Sequence, residues 1–469
     1  MKILLTNPPW KTIDNRYGVR AGSRWPFTVK ARNEKRLDYI PFPFFIAYAA
    51  AVLEKEGLFN VKVLDSIAEG LNESEYYKRV LAFNPDIIFA ETSAPSCHID
   101  INHVKKTKEI LGRKSFYILG GPHATVFANE ILNENPEVDF CTVGEYELTL
   151  KELILKISKN DCDMSNVKGV AWRKDGHIVI NERTSAIDLD SLPFPAWHHF
   201  PMYRYKDYFS NFEKPMVNVM ASRGCPYQCN FCLWPDVMYG SHTYRIRDVV
   251  RVVDEIEHLI QQYRFRTIYF DDDSFNIGKN RLLALCSEIK KRNLKFQWVV
   301  MARADTTDEE TLNEMASCGL YAIKYGIESG SQHLIDICGK SLELAKAIKT
   351  VEFTKKLGIK THLTFTIGLK GETKETMQQT LDLALKLSPD SCQFSICTPF
   401  PGTKYYAETK ENNLLLTEDF SKFDGSSESV IRTASLNAKE ISRFLNKMNR
   451  AWSSLQFKRK IKRKFLLKK

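Results

Sequence analysis

The chain has 469 residues, 43% of them apolar and 26% charged, the composition of an ordinary water-soluble globular protein of about two to three domains. No apolar stretch reaches the length of a membrane span, and the apolar run at the amino terminus is too short for a signal peptide, so we expect a cytoplasmic protein. The net charge is +10, but eight basic residues fall within the last twelve and only +2 remains elsewhere. Nucleic acid is therefore not expected as a partner.

Residues 1–155 alternate short apolar runs with amphipathic helical patterns, such as those at 44–55 and 99–111. This alternation predicts an α/β domain with a doubly wound, flavodoxin-like parallel sheet. Ligands of such sheets bind beyond the carboxyl ends of the strands. The predicted strands are residues 2–6, 61–65, 86–90, 116–120 and 138–143.

The loops after these strands contain small polar residues and glycines, which allow a ligand to approach the main chain closely. Taken one at a time, a loop of this kind is also explained as an ordinary turn. Together the loops make this edge of the sheet the candidate ligand-binding site of the domain. The candidate contacts are Thr92, Ser93, Gly120, Gly121 and Gly144.

Residues 156–215 have the pattern of a linker that straps two domains together. Within it, Lys174-Asp175-Gly176 separates two apolar runs and predicts a hairpin turn. The proline-rich stretch 192–197 should lie extended.

Residues 216–405 repeat the strand–helix alternation six times and predict a partial (β/α)6 barrel of the TIM type. The active site of such a barrel faces the carboxyl ends of its strands. The predicted strands are residues 217–221, 267–270, 296–301, 322–327, 361–367 and 393–397. The predicted helices are residues 249–262, 281–291, 309–317, 342–357 and 375–387.

The most informative motif follows the first barrel strand, where Cys225, Cys229 and Cys232 have the spacing C-x3-C-x2-C. A structural zinc site usually takes four ligands, whereas three thiolates fit an iron–sulfur cube that leaves one iron open. The other eight cysteines are scattered along the chain, which favours a reducing cytosol over a disulfide framework. A surface loop with unrelated cysteines is the alternative.

Polar residues follow several other barrel strands, where apolar side chains would cost less free energy to bury. Asp272 and Asp273 belong to a run of three aspartates, which would repel one another unless a cation or a hydrogen-bond donor lies nearby. A solvated acidic turn is the alternative for them. Arg303 has the geometry to fork a carboxylate, and Glu328 follows the next strand.

Residues 406–469 are expected to form a helical extension with a basic tail. In a helix, Phe457, Ile461 and Phe465 would share one face because they recur every four residues. A basic helix with an apolar face favours peripheral binding to an anionic membrane surface, and a solvated terminus is the alternative. Membrane binding would suit a lipid or membrane-associated substrate.

The cysteine spacing, the flanking Gly224 and Pro226 and the aromatic Phe231 resemble the radical S-adenosylmethionine (SAM) superfamily. The resemblance implies that the three cysteines hold a 4Fe–4S cluster whose open iron chelates SAM. An external one-electron reductant would then drive cleavage of SAM to methionine and a 5′-deoxyadenosyl radical.

The same resemblance implies roles at the barrel mouth. Asp272 and Asp273 would hold the ammonium group of SAM, and Glu328 resembles the residue that binds the ribose or the amino group. Phe231 and the turn that contains Pro401 would lie on the adenine side. This chain departs from its relatives at Lys370, where they usually have proline.

The five strand ends of residues 1–155 resemble the cobalamin-binding domain of one branch of this superfamily. The resemblance implies that the five strand-end residues named above contact the corrin and its tail. The D-x-H-x-x-G signature of some cobalamin proteins is absent after the first strand. His98 and His123 are candidate lower ligands of cobalt, but loop histidines more often have other roles, so we expect cobalamin without a protein histidine.

The resemblance as a whole implies a cobalamin-dependent radical methyltransferase that acts on an unactivated carbon of a small molecule or lipid. One alternative is an oxidative or ring-forming radical enzyme, like the anaerobic cyclase of the bacteriochlorophyll pathway. A non-catalytic cobalamin sensor is disfavoured by the cysteine trio. A transfer-RNA methylthio enzyme is also disfavoured, because Cys97, Cys141 and Cys162 lie far apart.

Overall fold

A computed structural model describes residues 1–11, 16–19, 27–30, 39–112, 115–206, 212–425 and 428–466. The first part of the chain forms a sheet covered by helices. Its strands are β1 (Lys2–Asn7), β2 (Arg16–Val19), β3 (Phe27–Lys30), β4 (Asn60–Asp65), β5 (Ile87–Glu91), β6 (Phe116–Gly120), β7 (Phe140–Thr142), β8 (Val170–Lys174) and β9 (His177–Ile180). Its helices are α1 (Phe44–Lys55), α2 (Ser66–Glu69), α3 (Glu73–Phe83), α4 (Cys97–Ile110), α5 (Pro122–Val126), α6 (Ala128–Glu134) and α7 (Glu147–Ser158).

The main sheet of this part has seven strands in the order β4-β1-β5-β6-β7-β8-β9, while β2 and β3 pair separately. The first five of these run parallel in the flavodoxin-like order, which confirms the predicted fold class. The hairpin β8–β9 pairs antiparallel with β7 and makes the sheet mixed. The first part of the predicted linker, residues 156–215, therefore adds two strands to the first sheet.

Helix α1 is buried along nearly its whole length, from Phe44 to Leu53. Its sequence is apolar on every side, as expected of a helix with no face toward water. It packs against β1 and β4 of the sheet and against α7. Its first turn reaches the second domain, where Phe45 stacks on Trp234 with ring centroids 5.1 Å apart.

The second part of the chain forms a six-stranded, all-parallel sheet in the order β10-β13-β14-β15-β16-β17, as predicted for the partial barrel. Two short antiparallel strands, β11 and β12, precede the helix at Val249–Tyr263. The strands are β10 (Met216–Val219), β11 (Ser222–Arg223), β12 (Arg245–Ile246), β13 (Thr267–Phe270), β14 (Gln297–Ala302), β15 (Leu320–Glu328), β16 (Lys360–Ile367) and β17 (Ser391–Ile396). The helices are α8 (Val249–Tyr263), α9 (Lys279–Lys291), α10 (Glu309–Ser317), α11 (Gln332–Ile337), α12 (Leu344–Lys356), α13 (Lys374–Leu387), α14 (Lys404–Glu411) and α15 (Ala438–Leu466).

The carboxyl-terminal extension is helical only in part. Between α14 and α15 the chain is mostly irregular and includes a 3-10 turn at Phe420–Lys422. Helix α15 packs along β17 and α13 on the outside of the barrel. Within the described ranges, no helix combines the length and the apolar character needed to cross a membrane.

The two parts of the chain meet at a buried network of ion pairs. Arg223, at the end of β11, lies 2.8 Å from a carboxylate oxygen of Glu145 and 2.7 Å from one of Glu147. Arg245 on β12 makes a second contact of 2.8 Å with Glu145. The Arg223 guanidinium also lies over the ring of Phe45, at 4.5 Å. Although burial alone would lower it, the two carboxylates raise the pKa of Arg223.

We expect Arg223→Met to destabilise the protein by roughly 3–5 kcal/mol, because it leaves the buried carboxylate of Glu147 without its cation and leaves Glu145 with Arg245 alone. The measurement is the midpoint of urea unfolding. Lys168→Met is the matched control, because the Lys168–Glu182 pair is largely exposed, and it should cost less than about 1 kcal/mol. Equal shifts for the two variants would contradict a structural role of the buried network.

Candidate active site between the two domains

The three cysteines lie in the long loop that joins β11 to β12. The loop begins at Gly224, whose φ of 91° is favourable only for glycine, and where an added Cβ would collide with the carbonyl oxygen of Thr243. The Gly224 N–H donates to Asp273 at 2.9 Å, which ties the start of the loop to the end of β13. The sequence therefore fixes how the chain enters the cysteine motif.

Cys225, Cys229 and Cys232 are all partly buried and unpaired, as a cluster site requires. A structural zinc site usually takes four ligands, whereas the three thiols of this motif fit an iron–sulfur cube that leaves one iron open. Burial raises the pKa of Cys225 to about 11, so a bound cationic cluster would stabilise the thiolate form.

Main-chain hydrogen bonds hold the cysteine motif from both sides. The Asn230 N–H donates to the carbonyl of Cys338 at 2.8 Å, and the Asn230 carbonyl accepts from the N–H of Tyr405 at 2.8 Å. The Cys232 N–H donates to the Cys229 carbonyl at 3.0 Å. The motif is therefore clamped between the turn after α11 and the start of α14.

Arg303 supports the same loop. Its guanidinium forks the carboxylate of Asp305, at 3.0 and 2.9 Å, and stacks on the ring of Tyr227 at 3.4 Å from the centroid. It also donates to the carbonyl of Lys340 at 2.8 Å. The sequence predicted that Arg303 forks a carboxylate, and in the structure that carboxylate belongs to the protein itself.

Asp272 and Asp273 both accept hydrogen bonds from residues around the entry to the cysteine loop. Asp272 accepts from the Ala221 N–H at 2.9 Å and from the Ser222 hydroxyl. Asp273 accepts from the Tyr239 hydroxyl at 2.9 Å as well as from Gly224. Burial raises the pKa of Asp272 to about 7 and that of Asp273 to about 6. These hydrogen-bond donors offset the electrostatic repulsion expected among three consecutive carboxylates.

Glu328 and Lys340 form a buried ion pair of 2.9 Å close to the cysteine motif. Glu328 sits at a β-bulge with φ 69°, and its second oxygen accepts from the Thr366 hydroxyl at 2.8 Å. Although burial opposes it, Glu328 and Cys229 raise the pKa of Lys340, which therefore carries a positive charge beside the loop. Lys340 was not predicted from the sequence. The only local feature that marks it is its position directly after the glycine that follows α11.

The strand ends of the first sheet carry buried polar atoms with no hydrogen-bond partner among the described residues. Four of them follow or end different strands: Asn7 Oδ1, Ser66 Oγ, Thr92 Oγ1 and Thr142 Oγ1. At Gly121, with φ 91°, an added Cβ would lie 2.8 Å from the carbonyl oxygen of Thr92. Buried polar atoms without partners at four strand ends fit a large polar ligand with many amide groups, as cobalamin is. Ser93 differs, since its hydroxyl bonds Ser96 at 2.8 Å.

The two predicted sites face each other. Gly144 borders the cysteine loop, because an added Cβ there would lie 3.1 Å from the carbonyl oxygen of Met238. The Thr125 hydroxyl accepts from the Gly144 N–H at 3.0 Å and lies 3.8 Å from the Met238 sulfur. Phe231 is buried in one apolar cluster with residues of both domains, and Pro401 lines a small cavity there. The other residues that line the cavity are Ala94, Pro122, His123, Leu233 and Phe400.

The two candidate cobalt ligands lie in different surroundings. His98 is exposed on α4. His123 is buried, and burial lowers its pKa to about 4. Its ring packs 5.3 Å from that of Phe420, in the irregular segment before α15. Phe420 also contacts Phe127, so the extension covers the first domain beside its strand ends, a contact that the sequence reading missed.

Comparison with known proteins identifies the class. A family model for the radical SAM superfamily matches residues 219–384, and a model for the B12 binding domain matches residues 36–154. An uncharacterized methyltransferase of Pyrococcus horikoshii is 32% identical over 95% of this chain and 91% of its own length. The anaerobic magnesium-protoporphyrin IX monomethyl ester cyclase of Cereibacter sphaeroides is 28% identical over 81% of this chain and 62% of its own.

Solved structures share the fold over both domains. The cobalamin-dependent SAM radical enzyme OxsB, solved with aqua-cobalamin and SAM bound, matches with a TM-score of 0.71 at 17% identity, over 95% of this chain and 66% of its own. The radical SAM methyltransferase TsrM of Kitasatospora setae matches with a TM-score of 0.65 at 18% identity, over 88% of this chain and 78% of its own.

The chain is thus a radical SAM enzyme with a B12 binding domain. It belongs to the cobalamin-dependent branch of the radical SAM superfamily, and its cofactors are a 4Fe–4S cluster, SAM and cobalamin. The predicted family, fold class and cofactors are confirmed. The roles of individual site residues remain predictions.

Gly224→Ala should strongly reduce the iron that the protein retains after anaerobic reconstitution, because the added Cβ collides with main chain at the entry to the cysteine loop. Gly278→Ala is the matched control, since Gly278 has nearly the same φ, 90°, but its added Cβ would meet its first neighbour only at 3.9 Å. The control should keep its iron. Full iron loading of Gly224→Ala would show that the loop entry is not as constrained as the structure indicates.

Proposed function

We propose that the protein is a cobalamin-dependent radical methyltransferase that methylates an unactivated carbon of a small-molecule or lipid substrate. The observation that carries the proposal is the apposition of the cysteine loop to the strand ends of the B12 binding domain, joined by Arg223 and Glu145 at 2.8 Å. Relatives named as methyltransferases support the reaction, including the cytidylyl-2-hydroxyethylphosphonate methyltransferase of Streptomyces wedmorensis, 27% identical over 78% of this chain.

In this proposal the side chains at the barrel mouth have different roles. Cys225, Cys229 and Cys232 hold the cluster. Glu328 and Lys340 offer one negative and one positive group beside the loop, which suits the amino and carboxylate ends of an amino acid such as the methionine part of SAM. When bound, the cluster supplies the electron that cleaves SAM, drawn from an external one-electron reductant, and cobalamin supplies the methyl group.

The chain also encloses the space between the two cofactor sites with apolar side chains. Phe231, Leu233 and Phe400 make an apolar cluster with Ala94 of the first domain, and Phe423 of the extension completes it. An apolar enclosure of this kind keeps water away from reactive species. The fused domains thus bring the two cofactors to one shielded space.

A ring-forming oxidative reaction is the second candidate, because anaerobic cyclases of two bacteria match about four fifths of the chain at 27% and 28% identity. The mass of the product separates the two reactions. Methyl transfer adds one CH2 unit, whereas the oxidative reaction removes hydrogen or adds oxygen. Untargeted mass spectrometry of cells with and without the protein would supply the candidate substrate and its mass change together.

We expect the triple variant Cys225→Ala, Cys229→Ala, Cys232→Ala to lose the roughly four irons of the cluster and all cleavage of SAM, measured as 5′-deoxyadenosine under reducing anaerobic conditions. Cys338→Ala is the matched control. Cys338 is also buried beside the loop, but its sulfur donates to the Ile335 carbonyl at 3.3 Å. Undiminished cleavage in the triple variant would refute the assignment of the cluster.

We further infer that α15 binds an anionic membrane surface peripherally. Arg459 donates to the carbonyl of Pro389 at 2.7 Å and so fixes one face of the helix to the barrel. The opposite side presents Phe457, which is 65% exposed, and Ile461, which is 39% exposed, among exposed lysines. Each basic residue near such a surface contributes on the order of 1 kcal/mol.

Sedimentation with liposomes tests this inference. Wild-type protein should bind vesicles that contain anionic lipid, release them at high salt and ignore neutral vesicles. Phe457→Ser with Ile461→Ser should weaken binding, whereas Leu416→Ser, which changes a 51% exposed leucine elsewhere in the extension, should not. If the wild-type protein ignores anionic vesicles even at low salt, the basic helix has no membrane role.

A further inference from the structure

Glu54, His198 and His199 converge at the far end of α1, away from the cofactor sites. The Nε2 atoms of His198 and His199 lie 3.0 and 2.8 Å from the same carboxylate oxygen of Glu54. The two imidazole rings are adjacent, with centroids 4.4 Å apart. Each side chain offers one ligand atom, and these three atoms all lie within 4.8 Å of one another.

The short 3-10 turn that carries the two histidines, Trp197–His199, is held firmly against the first domain. Trp197 packs on Phe42 with ring centroids 4.6 Å apart, and the N–H of Ala196 donates to the carbonyl of Ala47 at 3.1 Å. Packing therefore positions the backbone that carries the two histidines. Pre-positioned ligands lose little conformational entropy on binding an ion.

The donor atoms of the cluster are of the kind that bind a metal ion of the zinc class. Two imidazole nitrogens and one carboxylate oxygen converge on one small volume, and imidazole is the commonest metal ligand in proteins. Ligand atoms around a tetrahedral zinc ion lie about 3.3 Å apart, and the two nitrogen–oxygen separations here are 3.0 and 2.8 Å.

We propose that Glu54, His198 and His199 bind one divalent transition-metal ion of the zinc class. Two imidazoles and one carboxylate favour zinc or a similar borderline ion over calcium or magnesium, which prefer oxygen ligands. The His198 side chain is 60% exposed, which leaves room for entry of the ion and for water as a further ligand.

Such an ion would fasten the segment between the two domains to α1. Glu54 lies nine residues, or about 13 Å, along α1 from Phe45, the residue that stacks on Trp234 beside the cysteine loop. The proposed site is therefore separate from the cluster, and its role is structural. It adds a second anchor to the connecting segment, where Tyr205 already donates to Asp65 at 2.8 Å.

The test uses the full-length, cluster-loaded enzyme, so that the cysteines of the loop are already occupied. The protein is dialysed against Zn²⁺ under anaerobic conditions, and zinc and iron are counted together. We expect one zinc per chain with the iron unchanged, and a rise in the melting temperature with zinc. Glu54→Gln and His198→Gln should each weaken zinc binding by roughly tenfold or more.

His177→Ala is the matched control, because His177 is a single exposed histidine at the start of β9, and it should bind zinc like the wild type. His198→Gln changes a largely exposed side chain, so the variant is expected to fold. If the wild type takes up no zinc, or if the Glu54 and His198 variants bind it as tightly as the control, the three residues form a hydrogen-bonded contact only and the proposal is wrong.

Discussion

The buried ion pairs of Arg223 with Glu145 and Glu147 are the contact on which the relation between the two domains depends. Arg223 ends the strand that leads into the cysteine loop, and the glutamates follow a strand of the first sheet. A buried guanidinium and its carboxylates cannot be separated cheaply, because each would remain desolvated and unpaired. The network therefore sets the distance between the loop that holds the cluster and the sheet edge that faces it.

Around this contact, the loop is braced by groups from several barrel strands. Asp273 holds its first residue, Arg303 stacks on Tyr227, and the carbonyl of Cys338 accepts from Asn230. These supports are short-range and directional, so they fix the loop before any cofactor binds. The polar residues at the barrel mouth thus stabilise the cysteine loop, independently of any contacts that they make with SAM.

Much of the fold could be predicted because its signals are local. The bounds of α1, β13 and α10 agree with those read from apolar periodicity, and the cysteine spacing is itself a local pattern. What the sequence reading missed depends on contacts between distant residues. The hairpin β8–β9 was recognised, but nothing in its own residues says that it pairs with β7. Lys340 and Phe420 likewise gain their positions only through Glu328 and His123.

We infer that one chain holds cobalamin and the cluster face to face across the junction at Arg223. Electron paramagnetic resonance of the reduced enzyme, with cobalamin in its paramagnetic Co(II) state, tests it most directly. We expect a cobalt signal broadened by the nearby reduced cluster, and a sharp signal once the three loop cysteines are replaced. Two independent, uncoupled signals in the wild-type enzyme would contradict it.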